Sequence, residues 1–209
     1  MLLQLLNPKV FMDIEILGNT KNPSVFIIGV FHGDEPQGNY LIRNYYNTCK
    51  NTNLLLLPCL NKTGFSAGTR TNIKGVDLNR NFPAKNWETG ERGDYFGGEK
   101  PASEEETRFL ISIIDKYNPK VIITLHAPYK VVNYDGGSDG SGKKLAKHIS
   151  DIIGYPVEEN IGYPTPGSFG TWAGVERNII VITLELDEDA SINELVKPIF
   201  KIFEMLEKY

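Results

Sequence analysis

The chain has 209 residues, 41% of them hydrophobic and 23% charged, with a formal net charge of −4. That balance suits one soluble globular domain over residues 1–209 with a sizeable core. It excludes the basic footprint of a nucleic-acid binder, and no run approaches the roughly 20 apolar residues that span a bilayer.

The opening stretch, MLLQLLNPKVFMDIEILGN, lacks a positive n-region and is interrupted early by Pro8, Lys9, Asp13 and Glu15. It reads as chain leading into a strand rather than as a signal peptide. Short β-branched or leucine-rich runs bounded by Gly, Pro or Asn predict strands at 10–17, 24–30, 54–58, 121–125 and 179–186. Amphipathic stretches predict helices at 37–50, 103–117, 142–153 and 191–208. Ser103 is the expected N-cap of the second helix, with three glutamates in its first turn and Pro119 beyond its end. Strands apolar on both faces and alternating with helices predict an α/β fold: a mixed, mostly parallel twisted sheet with helices on both sides. Residues 59–101 break the rhythm, being rich in Gly, Asn, Thr and Pro without a long periodic run. A connection this long in a compact domain is usually functional or disordered. Cys49 and Cys59 match neither a disulfide framework nor a C-x-x-C zinc site, so two reduced thiols in a cytoplasmic protein are expected.

The chain has three histidines. His32 follows the strand at 24–30 and His126 the strand at 121–125, while Glu185 lies near the end of the strand at 179–186. Ligands of open α/β sheets bind at those carboxyl ends. Imidazole and carboxylate are zinc ligands, so His32 and Glu35 across a tight turn, with His126 from another strand, can hold one ion. In this reading Gly33 relaxes the backbone of the turn and Pro36 stiffens the exit into the next helix. Three protein ligands leave a place for water, the pattern of a catalytic site. The competing reading is ordinary: a histidine at a strand end commonly just reaches water, and H-x-x-E is a short pattern. His148 falls in a lysine-bearing amphipathic helix and reads as a surface residue. Glu185 is harder to dismiss, because a carboxylate late in an Ile, Val and Leu run needs a partner.

GVDLNRNFP at 75–83, together with HGDE at 32–35, resembles the zinc carboxypeptidase family. AGTRTNIKGVDLNRNFP, ASEEETRFL, YPTPGSFGTW and ITLELDED follow in the family's order. Within it the set is most similar to the murein peptide amidases. The resemblance implies one zinc ion held by His32, Glu35 and His126, with Glu185 as general base. It implies that Arg70 polarises the scissile carbonyl and that Asn79 and Arg80 clamp a substrate carboxylate. Asp77 is implied to orient the first zinc histidine and Tyr163 to close over the substrate. The implied substrate is a small cell-wall peptide, cut between γ-D-glutamate and meso-diaminopimelate. One departure is NKTG at 61–64, where relatives often carry Asn-Pro-Asp-Gly; another is a chain shorter than the digestive carboxypeptidases.

Three other readings stay open. A deacylase of small N-acyl amino acids, like aspartoacylase or succinylglutamate desuccinylase, shares the zinc pattern and the Asn-Arg pair. A C-terminal exopeptidase is another, and a non-catalytic binder of cell-wall peptides is the alternative of a different class. A serine hydrolase fits poorly: GFSAG at 64–68 and GGSDG at 136–140 match G-x-S-x-G, but Ser66 and Ser138 lack the expected strand–turn–helix elbow. Asp187, Glu188 and Asp189 are a candidate contact for a substrate amine, or simply a solvated strand exit.

Overall fold

The computed structural model describes residues 14–159 and 162–209. The strands among them are β1 (Leu17–Gly18), β2 (Val25–Gly29), β3 (Leu55–Leu57), β4 (Val121–His126), β5 (Val131–Asp135), β6 (Val157–Glu158) and β7 (Ile180–Glu185). They form one sheet in the order β1-β3-β2-β4-β7-β5-β6. β3, β2, β4 and β7 run parallel, as do β5 and β6, whereas β1–β3 and β5–β7 pair antiparallel. The expected mixed, mostly parallel sheet is what forms. The strand expected at 10–17 lies partly outside the described residues, and its described end is the short edge strand β1.

The α-helices among the described residues are α1 (Gln37–Thr48), α2 (Lys62–Ala67), α3 (Glu105–Tyr117), α4 (Ser141–Ile153) and α5 (Ile192–Leu206). Side chains alternate across a strand, and both faces of the sheet are buried. Val25, Ile27, Ile123, Ile182 and Leu184 face α1, α4 and α5. Phe26, Ile28, Ile122 and Val181 face α3 and a π-helical turn, Gly170–Val175. α1 lies close against β2 because glycines meet there. A Cβ on Gly38 would sit 2.8 Å from the Gly29 Cα, nearer than non-bonded atoms allow.

Several sequence expectations need correction. β5, β6 and α2 were not anticipated. The start of α3 is at Glu105 with Glu104 in the capping position, not Ser103. Asn81 occupies the Ser103 hydroxyl with a 2.9 Å donor bond, and that hydroxyl donates onward to Glu104 at 2.9 Å. Ser138 does lie between a strand, β5, and a helix, α4. Because β5 is antiparallel to β7, that turn is at the sheet edge opposite His126, and the Ser138 amide is tied to Asn178. Ser66 lies within α2. Neither serine sits on a nucleophile elbow.

The 59–101 segment is ordered by buried polar side chains. Asn61 is fully buried. Its Oδ1 accepts from the Gly64 amide at 2.9 Å, capping α2, and its Nδ2 donates to the carbonyls of Phe31 and Arg70, each at 3.2 Å. One amide thus joins the end of β2 to the Arg70 loop. Glu104, from the SEEET stretch, accepts from Asn72 at 2.9 Å and pairs with Lys74 at 3.3 Å. Each buried group left without a partner costs about 1–3 kcal/mol. Asn61→Ala is therefore expected to destabilise the fold by at least about 2 kcal/mol in denaturant unfolding, whereas a change within error would show that the loop is held by other contacts.

Candidate metal centre

The face of the sheet that packs on α3 changes character along its strands. On β4 the residues facing that side are Ile122, Thr124 and His126, and on β7 they are Val181, Thr183 and Glu185. The register pairs Ile122 with Val181, Thr124 with Thr183 and His126 with Glu185. Apolar at the base and polar at the carboxyl end, this face makes the floor and wall of a cavity of about 290 Å³.

His32 reaches the same place from β2. Val30 takes φ 57°, a left-handed conformation that a β-branched residue rarely adopts, and it turns the chain over the sheet edge. The Glu35 amide then donates to the His32 carbonyl at 3.2 Å. The backbone freedom expected of Gly33 is not used, since its φ lies outside the left-handed region. Gly33 is required for space instead: a Cβ there would stand 1.9 Å from the Gly64 carbonyl carbon.

His32, Glu35 and His126 come together. His32 Nδ1 lies 2.8 Å from Glu35 Oε1 and His126 Nδ1 lies 3.0 Å from Glu35 Oε2. One ligand atom from each falls within 4.8 Å of the others, and all three residues border the cavity. The set fits a zinc ion by donor type and spacing. Both nitrogens of His32 face carboxylates, because Nε2–H donates to Asp77 Oδ1 at 3.1 Å. Burial opposes a charge on this ring, but Glu35 and Asp77 outweigh it and raise its pKa to about 9. Burial likewise opposes the Glu35 carboxylate, yet the two histidines bring it down to about 2. The pocket is built to hold positive charge between buried carboxylates, which a divalent cation supplies.

Asp77 holds more than a histidine. It is fully buried, and it accepts from Arg70 Nη2 at 2.9 Å, Arg70 Nε at 3.2 Å and the Asn79 amide at 2.8 Å. Burial opposes its charge, and His32 followed by Arg70 and Arg80 hold it well below the usual carboxylate range. Arg70 also lies 3.7 Å from Glu35. Asn79 and Arg80 belong to a 3₁₀ turn, Leu78–Arg80. Asn79 Oδ1 accepts from the Phe169 amide at 2.9 Å, so its NH₂ is the end left for a ligand. Arg80 is buried, donates to the Asn79 carbonyl at 2.8 Å and has no carboxylate partner among the described residues, although it borders the cavity. Tyr163 also borders the cavity and is bonded to Tyr129; burial first, then Tyr129, pushes its hydroxyl up to about 12.

Glu185 is 6% exposed, and its Oε2 has no hydrogen-bond partner among the described residues. Burial pushes its pKa up, with Glu35 adding to the effect and His126 opposing it. Of the acidic tail, Asp187 is already engaged, by Lys130 at 2.7 Å and by the Asp189 amide at 3.0 Å, whereas Glu188 borders the cavity. Sequence reasoning missed Tyr95, whose ring lies 4.9 Å from the Arg70 guanidinium and 5.7 Å from that of Arg80. Nothing local to Tyr95 marks it, because both partners are distant in the chain.

Two imidazoles and a carboxylate at the carboxyl ends of a parallel sheet, beside a buried acid and two arginines, define a mononuclear metallohydrolase of the α/β class. The zinc carboxypeptidase family model matches residues 7–205, and the chain belongs to that family. It is 30% identical to murein peptide amidase A of Escherichia coli K12 over 199 residues, covering 88% of this chain and 79% of the relative. The Vibrio campbellii protein of the same name is also 30% identical, over 86% of this chain and 74% of its own. The crystal structure of murein-tripeptide amidase from Escherichia coli O157 superposes with a TM-score of 0.76 at 29% identity, covering 91% of this chain and 83% of that one. Thrombin-activatable fibrinolysis inhibitor, at 16% identity and a TM-score of 0.71, shares the fold.

Losing the acid that orients a metal-bound histidine typically costs about 10–100-fold in affinity. Asp77→Asn is expected to weaken zinc binding by about that factor in competition with a chromophoric chelator, and His126→Ala by more. Unchanged affinity in both variants would remove the metal centre from this position.

Proposed function

We propose that the chain is a zinc-dependent amide hydrolase that cuts the γ-D-glutamyl–meso-diaminopimelate bond of cell-wall peptides. The observation that carries the chemistry is Glu185: a buried carboxylate with one oxygen unpartnered, on the strand beside His126. The choice of substrate rests on the likeness to the murein peptide amidases over 88% of the chain.

Zinc held by His32, Glu35 and His126 supplies a Lewis acid that acidifies water and polarises a carbonyl. Glu185 takes the proton from the attacking water and returns it to the departing amine; its raised pKa brings it nearer to the range such a shuttle needs. Arg70 carries a permanent charge and donates to the oxygen that becomes negative as water adds. The pairing of Arg70 with Asp77 keeps the guanidinium within the cavity wall until then. Arg80 offers a planar fork to the free carboxylate of the residue whose amine is released, and the Asn79 NH₂ donates beside it. Tyr163 closes over the substrate from the cavity rim. The chain acts as a single catalytic domain in the cytoplasm, a location that the free thiols of Cys49 and Cys59 support.

Glu185→Ala is expected to keep zinc bound while kcat falls by about 10²–10⁴-fold, checked by metal analysis alongside turnover. Undiminished turnover would remove the base from this position. Arg80→Ala should raise KM for peptides with a free terminal carboxylate far more than for their esters, and equal losses on both would misplace the clamp. A panel of L-Ala-γ-D-Glu-meso-diaminopimelate, N-acetylaspartate, N-succinylglutamate and a blocked dipeptide with a free C-terminus tests the substrate class. Cleavage of the first supports the reading; cleavage of only the second or third makes the protein a deacylase.

A further inference from the structure

We propose that Asp135 is a specificity-determining residue: its carboxylate receives the ammonium group on the side chain of the residue whose amine is released. This rests on the amide-hydrolase reading above and deepens it by naming what distinguishes the substrate's side chain.

The placement follows from register. β5 runs antiparallel to β7 with Val131 opposite Glu185, Asn133 opposite Thr183 and Asp135 opposite Val181. Residues two apart share a face, so Asn133, Asp135 and Thr183 lie on the face that carries Glu185, and all of them border the cavity. Asp135 is level with a position four residues before Glu185, a descent of about 13 Å at about 3.3 Å per residue. It therefore sits deep along the cavity wall rather than at the reacting bond. A long unbranched side chain directed down that wall brings its tip toward Asp135.

The carboxylate there lacks a protein partner. No hydrogen bond or ion pair holds the Asp135 side chain among the described residues, and burial alone pushes its pKa up to about 6. Glu159, another acid on the cavity border, is by contrast paired with Lys143 at 2.9 Å and accepts from the Tyr134 hydroxyl at 2.8 Å. Asp135 is half-buried; a carboxylate partly withdrawn from water without a partner carries a desolvation cost, and an incoming ammonium offsets it. Space for it is preserved by two glycines of the π-helical turn. A Cβ on Gly170 would stand 2.3 Å from Asp135 Oδ2, and one on Gly174 would stand 2.3 Å from the Asp135 Cβ. Larger residues there would displace the carboxylate.

Asp34, Glu35, Glu159, Glu185 and Glu188 also border the cavity, so Asp135 is distinguished from them by its position on the wall below the reacting bond. The arginines of the cavity, Arg70 and Arg80, come from the irregular segment before α3, whereas Asp135 comes from the sheet. A residue with its backbone carboxylate on Arg80 and a side-chain ammonium on Asp135 is held at two points of opposite sign. Lysine and diaminopimelate both carry such an ammonium; norleucine has the lysine carbon chain without it.

The test compares γ-D-glutamyl-L-lysine, γ-D-glutamyl-meso-diaminopimelate and γ-D-glutamyl-L-norleucine as substrates of the wild type and Asp135→Asn. Hydrogen bonds to charged groups support an expected loss of about 10- to 100-fold in kcat/KM on the first two in the variant. Turnover of the norleucine compound should be unchanged or improved, which also shows that the variant is folded. Calorimetry of free L-lysine against L-norleucine supplies a readout independent of turnover: lysine should bind the wild type more tightly, and the advantage should vanish in Asp135→Asn. If the wild type treats lysine and norleucine alike in both assays, or if Asp135→Asn keeps the full preference for lysine, the assignment is overturned. If no γ-D-glutamyl compound is cleaved but lysine binding still depends on Asp135, the subsite stands and the proposed substrate falls.

Discussion

The buried carboxylate of Asp77 is the fixed point around which the site is assembled. Removing a charge of that kind from water costs several kcal/mol unless it is paired and hydrogen-bonded. Here four donors from three places in the chain meet it: the His32 ring, two guanidinium nitrogens of Arg70 and the Asn79 amide. The same bonds that make the charge tolerable set the orientation of a candidate zinc ligand, restrain the cation nearest the metal position and start the turn that presents Asn79 and Arg80. Breaking one bond leaves the others with an under-compensated buried charge, so the positions of His32, Arg70 and the 79–80 turn are coupled through a single side chain.

The sheet supplies the second constraint. One face of β4 and β7 is apolar where α3 and the π-helical turn cover it and polar where the cover ends. The polar half needs no separate scaffold, because the strands that place His126 and Glu185 are held by Ile122 and Val181 in the same register. The left-handed Val30 is where β2 leaves this frame, and such strain persists only when the surroundings over-determine it. Here the buried Val30 side chain, the Leu60 bond to the Gly29 carbonyl and the Asn61 bond to the Val30 carbonyl do so. The close approach of Gly33 to Gly64 then locks the ligand turn against α2.

What was legible in the sequence follows from the range of the interactions concerned. The four central strands are runs of apolar residues and declare themselves locally, and they carry His126, Glu185 and, just beyond β2, His32. β5 is not legible because VVNYD puts Val132 and Tyr134 on the core face and Asn133 and Asp135 toward the cavity, so its polar residues look like loop. The order within 59–101 is equally hidden, since Asn61 to Phe31 and Asn81 to Gly97 are contacts between a polar side chain and a distant carbonyl. Pattern reading detects burial of apolar periodicity and has no purchase on buried amides. Asp77 was legible only through the family motif around it, and its hold on Arg70 was not legible at all.

The distribution of groups between rigid and irregular elements has a consequence for how the site divides its labour. Both strand-borne groups, His126 and Glu185, are fixed by the ladder to within the tolerance of a β-sheet, which suits metal binding and proton transfer. The arginines stand on a connecting segment and are steadied by Tyr95, whose ring lies beneath both guanidinium groups. Stacking of this sort restrains a cation without consuming its hydrogen-bond donors. Arg80 can therefore stay buried and charged with no ion-paired carboxylate among the described residues. A guanidinium in that state is destabilised relative to one that has met a carboxylate, and a ligand bringing that group recovers the difference on binding.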